Sequence, residues 1–134
     1  MKSRLLALAV TAVAFAGVPA HAESAVTVNL ALSAGTYAPT GAACALSVSA
    51  GADGLAVLDA AVAAHCITSY ETQSFPFGTY VSCIDSVCAS VLTGNAGTYW
   101  EMTENGAATA FGVDGFSADS GDVLGFDYTG YAFV

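Results

Sequence analysis

The sequence has 134 residues, of which 55% are hydrophobic, and a formal net charge of −9. Its two basic residues, Lys2 and Arg4, lie near the N-terminus, whereas all eleven carboxylates follow residue 22. A chain without lysine or arginine beyond Arg4 cannot neutralise phosphates, which excludes nucleic acids and anionic membrane surfaces as partners.

The first 22 residues have the features of a secretory signal peptide. Two basic residues precede an apolar run over residues 5–18, and the A-x-A sequence ending at Ala22 fits a cleavage site. This run is shorter than the roughly 20 residues that crossing a bilayer requires. We therefore predict cleavage after Ala22, a single mature domain over residues 23–134, no membrane span, and a secreted or periplasmic location.

Four cysteines in an exported chain indicate a disulfide framework, for which three pairings are possible. We favour Cys44–Cys66, which would tie a strand to the end of a helix, and Cys83–Cys88, which would close a short hairpin. The alternatives are a metal site or a redox pair. The chain has no C-x-x-C motif, and His65 with Cys66 alone is a poor ligand set.

The first half of the mature chain predicts two strands and a helix. Residues 26–32 alternate between apolar and polar side chains, and residues 43–49 are expected to form a strand paired with them. Glycine and proline between these strands predict a loop over residues 33–41. Asp53 can cap a helix over residues 55–65, which consists of helix formers. The residues predicted to face the core are Leu55, Leu58, Ala61 and Val62.

The next segment predicts a connector followed by a hairpin. Residues 67–76 are expected to connect the helix to the next strand, with Tyr70 and Phe75 filling the core over the helix end. Residues 77–84 and 87–92 flank an Asp-Ser pair that predicts a tight turn. The two cysteines of this hairpin would then face each other.

Two turns organise the C-terminal part of the chain. Asn105-Gly106 is the strongest turn signal, because small residues accept the positive φ angles of a tight turn, so a strand over residues 99–104 ends there. A glycine-containing loop over residues 93–98 leads into this strand. A polar turn at residues 119–122 precedes an apolar and aromatic strand over residues 123–128.

A series of short motifs runs through the chain in a fixed order. They are G-x-x-V-L-D-A (54–60), F-G-x-Y-V (77–81), S-x-I-D (82–85), Y-W-x-M (99–102), F-G-V (111–113) and G-D-x-x-x-F-x-Y (121–128). In this order and spacing they resemble the bacterial transcobalamin C-terminal-like domain, a secreted or surface-attached module. The resemblance covers roughly residues 43–128.

The resemblance implies an α+β fold of the β-grasp kind, with one helix packed on a mixed, mostly antiparallel sheet with β-hairpins. In the vertebrate cobalamin carriers a related small domain closes over one face of the vitamin, while a large helical domain holds the other. This sequence shows no counterpart of that helical domain. The resemblance makes cobalamin a candidate ligand, and we predict no cofactor.

The sequence offers little for catalysis. His65 would be the single histidine of the mature chain, and no G-x-S-x-G motif is present. Glu101 and Glu104 are predicted to lie on opposite faces of a strand, which makes a poor acid and base pair. Asp114 and the turn at 119–122 could collect calcium, but they lack the spacing of a calcium loop, and a polar turn is the better interpretation. We predict neither a catalytic nor a metal site.

The remaining feature is a set of aromatic residues, most of which must lie in the core of so small a domain. They are Tyr80, Tyr99, Trp100, Phe111, Phe126, Tyr128 and Tyr131. Because Tyr99 and Trp100 are adjacent, one should face the core and the other should face away. We predict Tyr80, Tyr99, Trp100 and Phe111 as ligand-binding residues.

The predicted function is that of a small, monomeric, non-enzymatic binding module for a cobalamin-like or other flat ligand or for a partner protein. The alternative is a structural or adhesive surface module without a small-molecule ligand. An enzyme is the third interpretation, and it would depend on His65.

Overall fold

The computed structural model of the chain describes residues 24–33, 42–91 and 96–132. The predicted signal peptide and most of the predicted loop over residues 33–41 lie outside the described residues. The elements in chain order are β1 (Ala25–Ser33), β2 (Ala42–Ser49), α1 (Gly54–Ala63), β3 (Tyr70–Phe75), β4 (Gly78–Ile84), β5 (Val87–Cys88), β6 (Ser90–Val91), β7 (Ala96–Glu104), β8 (Ala107–Ala108) and β9 (Val123–Ala132).

The larger of the two sheets has the strand order β2-β1-β9-β7-β6. The short strand β8 also belongs to this sheet and pairs with β7. β1 and β2 form the predicted antiparallel pair, and β1 also runs parallel to the last strand, with Leu30 beside Leu124. The other pairings of this sheet are antiparallel. A hairpin, a helix and a last strand parallel to the first confirm the predicted α+β, β-grasp-like fold with a mixed, mostly antiparallel sheet.

The core lies between one face of this sheet and the helix. Every second residue of β1 from Val28 to Leu32 is buried, and on β9 Leu124 and Phe126 are buried beside them. The helix contributes Val57, which is fully buried. Because side chains on a strand alternate between the two faces, Asn29 of β1 and Asp127 of β9 lie on the opposite face of the sheet.

The helix begins one residue before the predicted start and ends two residues before the predicted end. The Asp53 carboxylate accepts a hydrogen bond from the Ala56 amide at 3.0 Å, which satisfies one of the free amides of the first turn. The helix ends at Ala63, and His65 follows with a φ of 60°, in the left-handed region. The exposed His65 therefore takes the terminating position that glycine commonly occupies.

The predicted core stripe of the helix is partly correct. Leu58 and Ala61 are fully buried, whereas Leu55 and Val62 are half-buried. Val57 is fully buried but was not predicted to face the core. Because the helix lies on a broad sheet, the stripe of residues that it buries is wider than the four residues predicted from the sequence.

The prediction of a connector over residues 67–76 is wrong, because Tyr70–Phe75 form strand β3, which pairs antiparallel with β4. Tyr70 packs partly against the core, and its hydroxyl donates a hydrogen bond to Asp59. Partial burial and this carboxylate raise the pKa of Tyr70 to about 12. Phe75 does not fill the core, since 40% of its surface is exposed.

The second sheet consists of β3, β4 and β5. Asp85 and Ser86 both have positive φ and form the predicted tight turn between β4 and β5. The predicted strand over residues 77–84 begins one residue later, because Phe77 lies in the turn between β3 and β4. The prediction of one strand over residues 87–92 is also wrong: β5 pairs with β4, whereas β6 pairs with β7 in the larger sheet.

Both predicted disulfides are present. Cys83 and Cys88 are direct register partners across the β4–β5 hairpin and are joined. Cys44 of β2 is joined to Cys66, which follows the helix. Two disulfides are typical of a protein that resides in an oxidising compartment.

The predicted turn at Asn105-Gly106 ends β7, with positive φ at both residues. It leads into the two-residue strand β8, while β9 is the partner of β7 along its whole length. The predicted loop over residues 93–98 is shorter, because β7 already begins at Ala96. The predicted strand over residues 123–128 extends to Ala132. Across the described ranges, no helix combines the length and the apolar character that crossing a membrane would require.

Candidate ligand-binding groove

An open groove follows the middle of β7. On the side away from β9, β6 pairs with Gly97-Thr98 and β8 pairs with Thr103-Glu104, and no other described strand pairs with β7 on that side. The groove, of about 290 Å³, lies beside the central residues 99–102. It is lined by Tyr80, Tyr99, Trp100, Glu101, Met102, Thr109 and Phe111. Because it runs along a strand edge, it touches consecutive residues that point to opposite faces.

A second groove of about 260 Å³ adjoins the first. The two share Tyr80, Tyr99 and Trp100, and the second extends toward Phe75 and Gln73 on β3. The three shared aromatic residues therefore border a continuous concave surface between the small sheet and β7.

Trp100 forms the rigid base of this surface. Its side chain is 9% exposed, and its indole Nε1 donates a hydrogen bond to the Val87 carbonyl at 2.8 Å. Its ring packs on Tyr128, with 5.0 Å between ring centroids. Tyr99 is 36% exposed. The prediction that one of the two adjacent residues faces the core and the other faces outward is confirmed.

A chain of hydroxyl groups fixes the small sheet behind Trp100. The Tyr128 hydroxyl donates to the Cys88 carbonyl at 2.7 Å and lies 2.8 Å from Thr98 Oγ1. Since Tyr128 has a single hydroxyl proton, Thr98 is the donor in the second contact. These bonds join β5, β7 and β9, so the wall of the groove does not depend on side-chain packing alone.

Tyr80 and Phe111 are brought together by a close approach of two backbone segments. The Thr79 amide donates to Asp114 Oδ1 at 3.0 Å. A Cβ atom on Gly112 would lie 2.1 Å from the Thr79 carbonyl oxygen, a distance that no side chain permits. Glycine at this position therefore allows β4 to lie against the segment that carries Phe111.

The same segment is held to β7 by Thr109. The Thr109 amide donates to the Met102 carbonyl at 3.2 Å. Its hydroxyl donates to the Phe111 carbonyl at 2.8 Å. Phe111 keeps 36% of its surface exposed on the wall of the groove.

The rim of the groove is negatively charged. Glu101 is half-buried and lies directly opposite Asp127 on β9. The Tyr99 hydroxyl lies 3.5 Å from Glu101 Oε2. Partial burial, followed by the charges of Glu101 and Asp127, raises the pKa of Tyr99. The described residues include no lysine or arginine that could neutralise this rim.

Two other carboxylates considered in the sequence, Asp114 and Asp122, have structural partners. Asp122 accepts a hydrogen bond from the Asp119 amide at 2.8 Å and from Asn105 Nδ2 at 3.1 Å, which are contacts of the kind that a polar turn makes. Within the three described ranges, no three residues of the types His, Cys, Asp and Glu are grouped so that they could hold a metal ion. Glu101 and Glu104 lie on opposite faces of β7, as predicted, because they are three residues apart on a strand.

The structure places all four predicted ligand-binding residues, Tyr80, Tyr99, Trp100 and Phe111, along one groove. Their ligand-binding role stays a prediction. Three lining residues were not predicted as such. Glu101 was considered only as a catalytic group, Met102 only as the last residue of the Y-W-x-M motif, and the sequence around Thr109 carries no signal for its position.

Comparisons with known proteins identify the fold. No family model and no curated protein matches this sequence. Haptocorrin in complex with Cbi is similar in structure, with a TM-score of 0.68 and 22% identity over 85% of this chain. A candidate metal-binding protein from Ruminococcus gnavus has a TM-score of 0.54 and 12% identity, covering 78% of this chain and 96% of that protein. At such identities the likeness shows the fold alone, which is transcobalamin-like.

The chain spans 28% of the length of the haptocorrin chain that it matches. The match therefore concerns one part of that protein.

Proposed function

We propose that this chain is a small exported binding module of the transcobalamin C-terminal-like family, and that its groove holds a flat ligand. The proposal is carried by the four aromatic residues from β4, β7 and the segment before residue 113 that line one open groove. Aromatic rings supply large apolar areas at a small cost in side-chain entropy, which suits a flat ligand.

A corrinoid is the first ligand to test. Haptocorrin, one part of which has a fold similar to that of this chain, is found in complex with Cbi. The groove is open rather than enclosed, so it would cover one face of such a ligand. The opposite face would then remain available to a partner protein or to a second module.

Binding rather than catalysis is supported by the residues of the groove. Its polar lining groups are the hydroxyls of Tyr80, Tyr99 and Thr109, the Trp100 indole and the Glu101 carboxylate. No histidine, cysteine or serine lines it, and His65 lies exposed after the helix. The Tyr99 hydroxyl lies 3.5 Å from the Glu101 carboxylate, but the pKa of Tyr99 is raised, which disfavours the phenolate that a nucleophile would need.

The test is the thermal unfolding midpoint of the purified protein with and without cobinamide and cobalamin. A ligand at about 100 times its dissociation constant stabilises the folded state by about 2.7 kcal/mol, which shifts the midpoint of a domain of this size by roughly 10 °C or more. Phe111→Ala, which removes one wall of the groove, should abolish most of the shift.

Phe77→Ala is the matched control, because it removes a ring of the same size that is 71% exposed and does not line the groove. It should retain the full shift. Midpoints that no corrinoid moves, in a protein that unfolds cooperatively, would remove corrinoids as ligands.

A structural or adhesive module is the second candidate, favoured by the tip of the β3–β4 hairpin. Phe75 and Phe77 stack there, with ring centroids 5.3 Å apart, and both are exposed. If this tip mediates assembly, gel filtration should show self-association that Phe77→Ser abolishes. A wild-type protein that elutes as a monomer at all concentrations would argue against this function.

A further inference from the structure

We infer that the ligand of the groove carries a positive charge, and that the groove recognises an organic ammonium group. The inference deepens the proposed function, since it rests on the same groove. It adds the chemical class of the group that binds there.

The aromatic lining is of the kind that attracts cations. The faces of tyrosine, tryptophan and phenylalanine rings are electron-rich and stabilise an ammonium group lying over them. Tyr80, Tyr99, Trp100 and Phe111 line one small groove, and Tyr99 and Phe111 are each 36% exposed. Several aromatic rings around one cavity form the arrangement that recognises quaternary ammonium groups elsewhere.

The charges beside the rings favour the same class of ligand. Glu101 lines the groove, and Asp127 lies directly opposite it on the neighbouring strand. Like charges at directly opposite positions of an antiparallel pair destabilise a sheet. The described residues include no lysine or arginine to relieve this repulsion, so a bound cation would relieve it.

An inorganic cation fits the groove less well than an organic one. Calcium requires six to eight oxygen ligands, whereas the groove offers one carboxylate and otherwise mostly ring carbon. In the part of the chain that the structure describes, no group of three or more potential metal ligands is found. An ammonium group with apolar substituents uses both the rings and the carboxylate.

The experiment compares choline with 3,3-dimethylbutan-1-ol, its uncharged isostere, by titration of the purified protein followed by NMR. Choline should bind at least about tenfold more tightly, a difference of about 1.4 kcal/mol. Glu101→Gln should remove most of this preference. Glu104→Gln is the matched control, because it removes the same charge from the same strand outside the groove.

The outcomes separate this inference from the proposed function. Equal affinities for the two probes, or a preference for choline that survives Glu101→Gln, would overturn the inference. The binding of either probe would still support a binding groove. If neither probe binds at roughly 10 mM, the ammonium inference is wrong, and the corrinoid-dependent unfolding midpoint decides the proposed function independently. A preference lost in Glu101→Gln and kept in Glu104→Gln supports the inference.

Discussion

Phe126→Ala should lower the free energy of unfolding by about 3 to 5 kcal/mol. Phe126 is 2% exposed and lies in register with Leu32 on one neighbouring strand and with Met102 on the other. Removing its ring leaves a cavity in the centre of the sheet, where neighbouring strands prevent the site from collapsing. Urea-induced unfolding followed by far-ultraviolet circular dichroism measures the change.

The control for this substitution is Phe77→Ala, which removes the same ring from an exposed turn. Because this ring stacks on Phe75, its removal should change the free energy of unfolding by no more than about 1.5 kcal/mol. If Phe126→Ala costs less than about 1 kcal/mol, Phe126 does not occupy the centre of the core.

Replacing Cys44 and Cys66 together by alanine should lower the free energy of unfolding by about 3 kcal/mol on the chain-entropy model. Their disulfide spans a sequence separation of 22, and it ties β2 to the segment that follows the helix. Without it the unfolded chain gains conformational freedom, and the helix end loses its covalent link to the sheet.

The Cys83 and Cys88 pair is the comparison for this experiment, because it spans a separation of only 5. Its replacement by alanine should cost about 2 kcal/mol, less than the loss for the longer loop. Denaturant titrations of the two double variants measure both values. The reverse order would show that native-state packing, rather than the freedom of the unfolded chain, governs both losses.

The sequence predicted those features of the fold that depend on a few neighbouring residues. The Asp53 cap, the positive φ angles at Asn105-Gly106 and the facing positions of Cys83 and Cys88 were all predictable, because each depends on residues only a few positions apart. The resemblance supplied the helix on a mixed sheet, which the fold confirms.

Strand β3 could not be predicted because its sequence lacks the signal that marks a strand. Apart from Tyr70, every residue of YETQSF is exposed, so no alternation of apolar and polar residues appears. β3 is a strand because its backbone pairs with that of β4. The boundary between β5 and β6 was missed for a related reason: the chain passes from one sheet to the other at Ala89, and periodicity does not report which sheet a strand joins.

The aromatic residues of the groove were predictable as a set, but their meeting place was not. Tyr80 and Phe111 are 31 positions apart, and Gly112 permits their approach by admitting the Thr79 carbonyl. The F-G-V motif does not indicate which backbone segment of the fold its glycine contacts. The position of Glu101 in the groove was not predicted, and its partner across the sheet, Asp127, depends on the β7–β9 register.

The fluorescence of Trp100 tests the proposed binding groove most directly, since Trp100 is the single tryptophan of the sequence and lines the groove. A corrinoid absorbs at wavelengths where tryptophan emits, so binding there should quench the emission. We predict saturable quenching at one equivalent of cobinamide, with a markedly weaker affinity in Phe111→Ala and an unchanged affinity in Phe77→Ala. Quenching that rises linearly without saturation, and equally in all three proteins, would contradict the account.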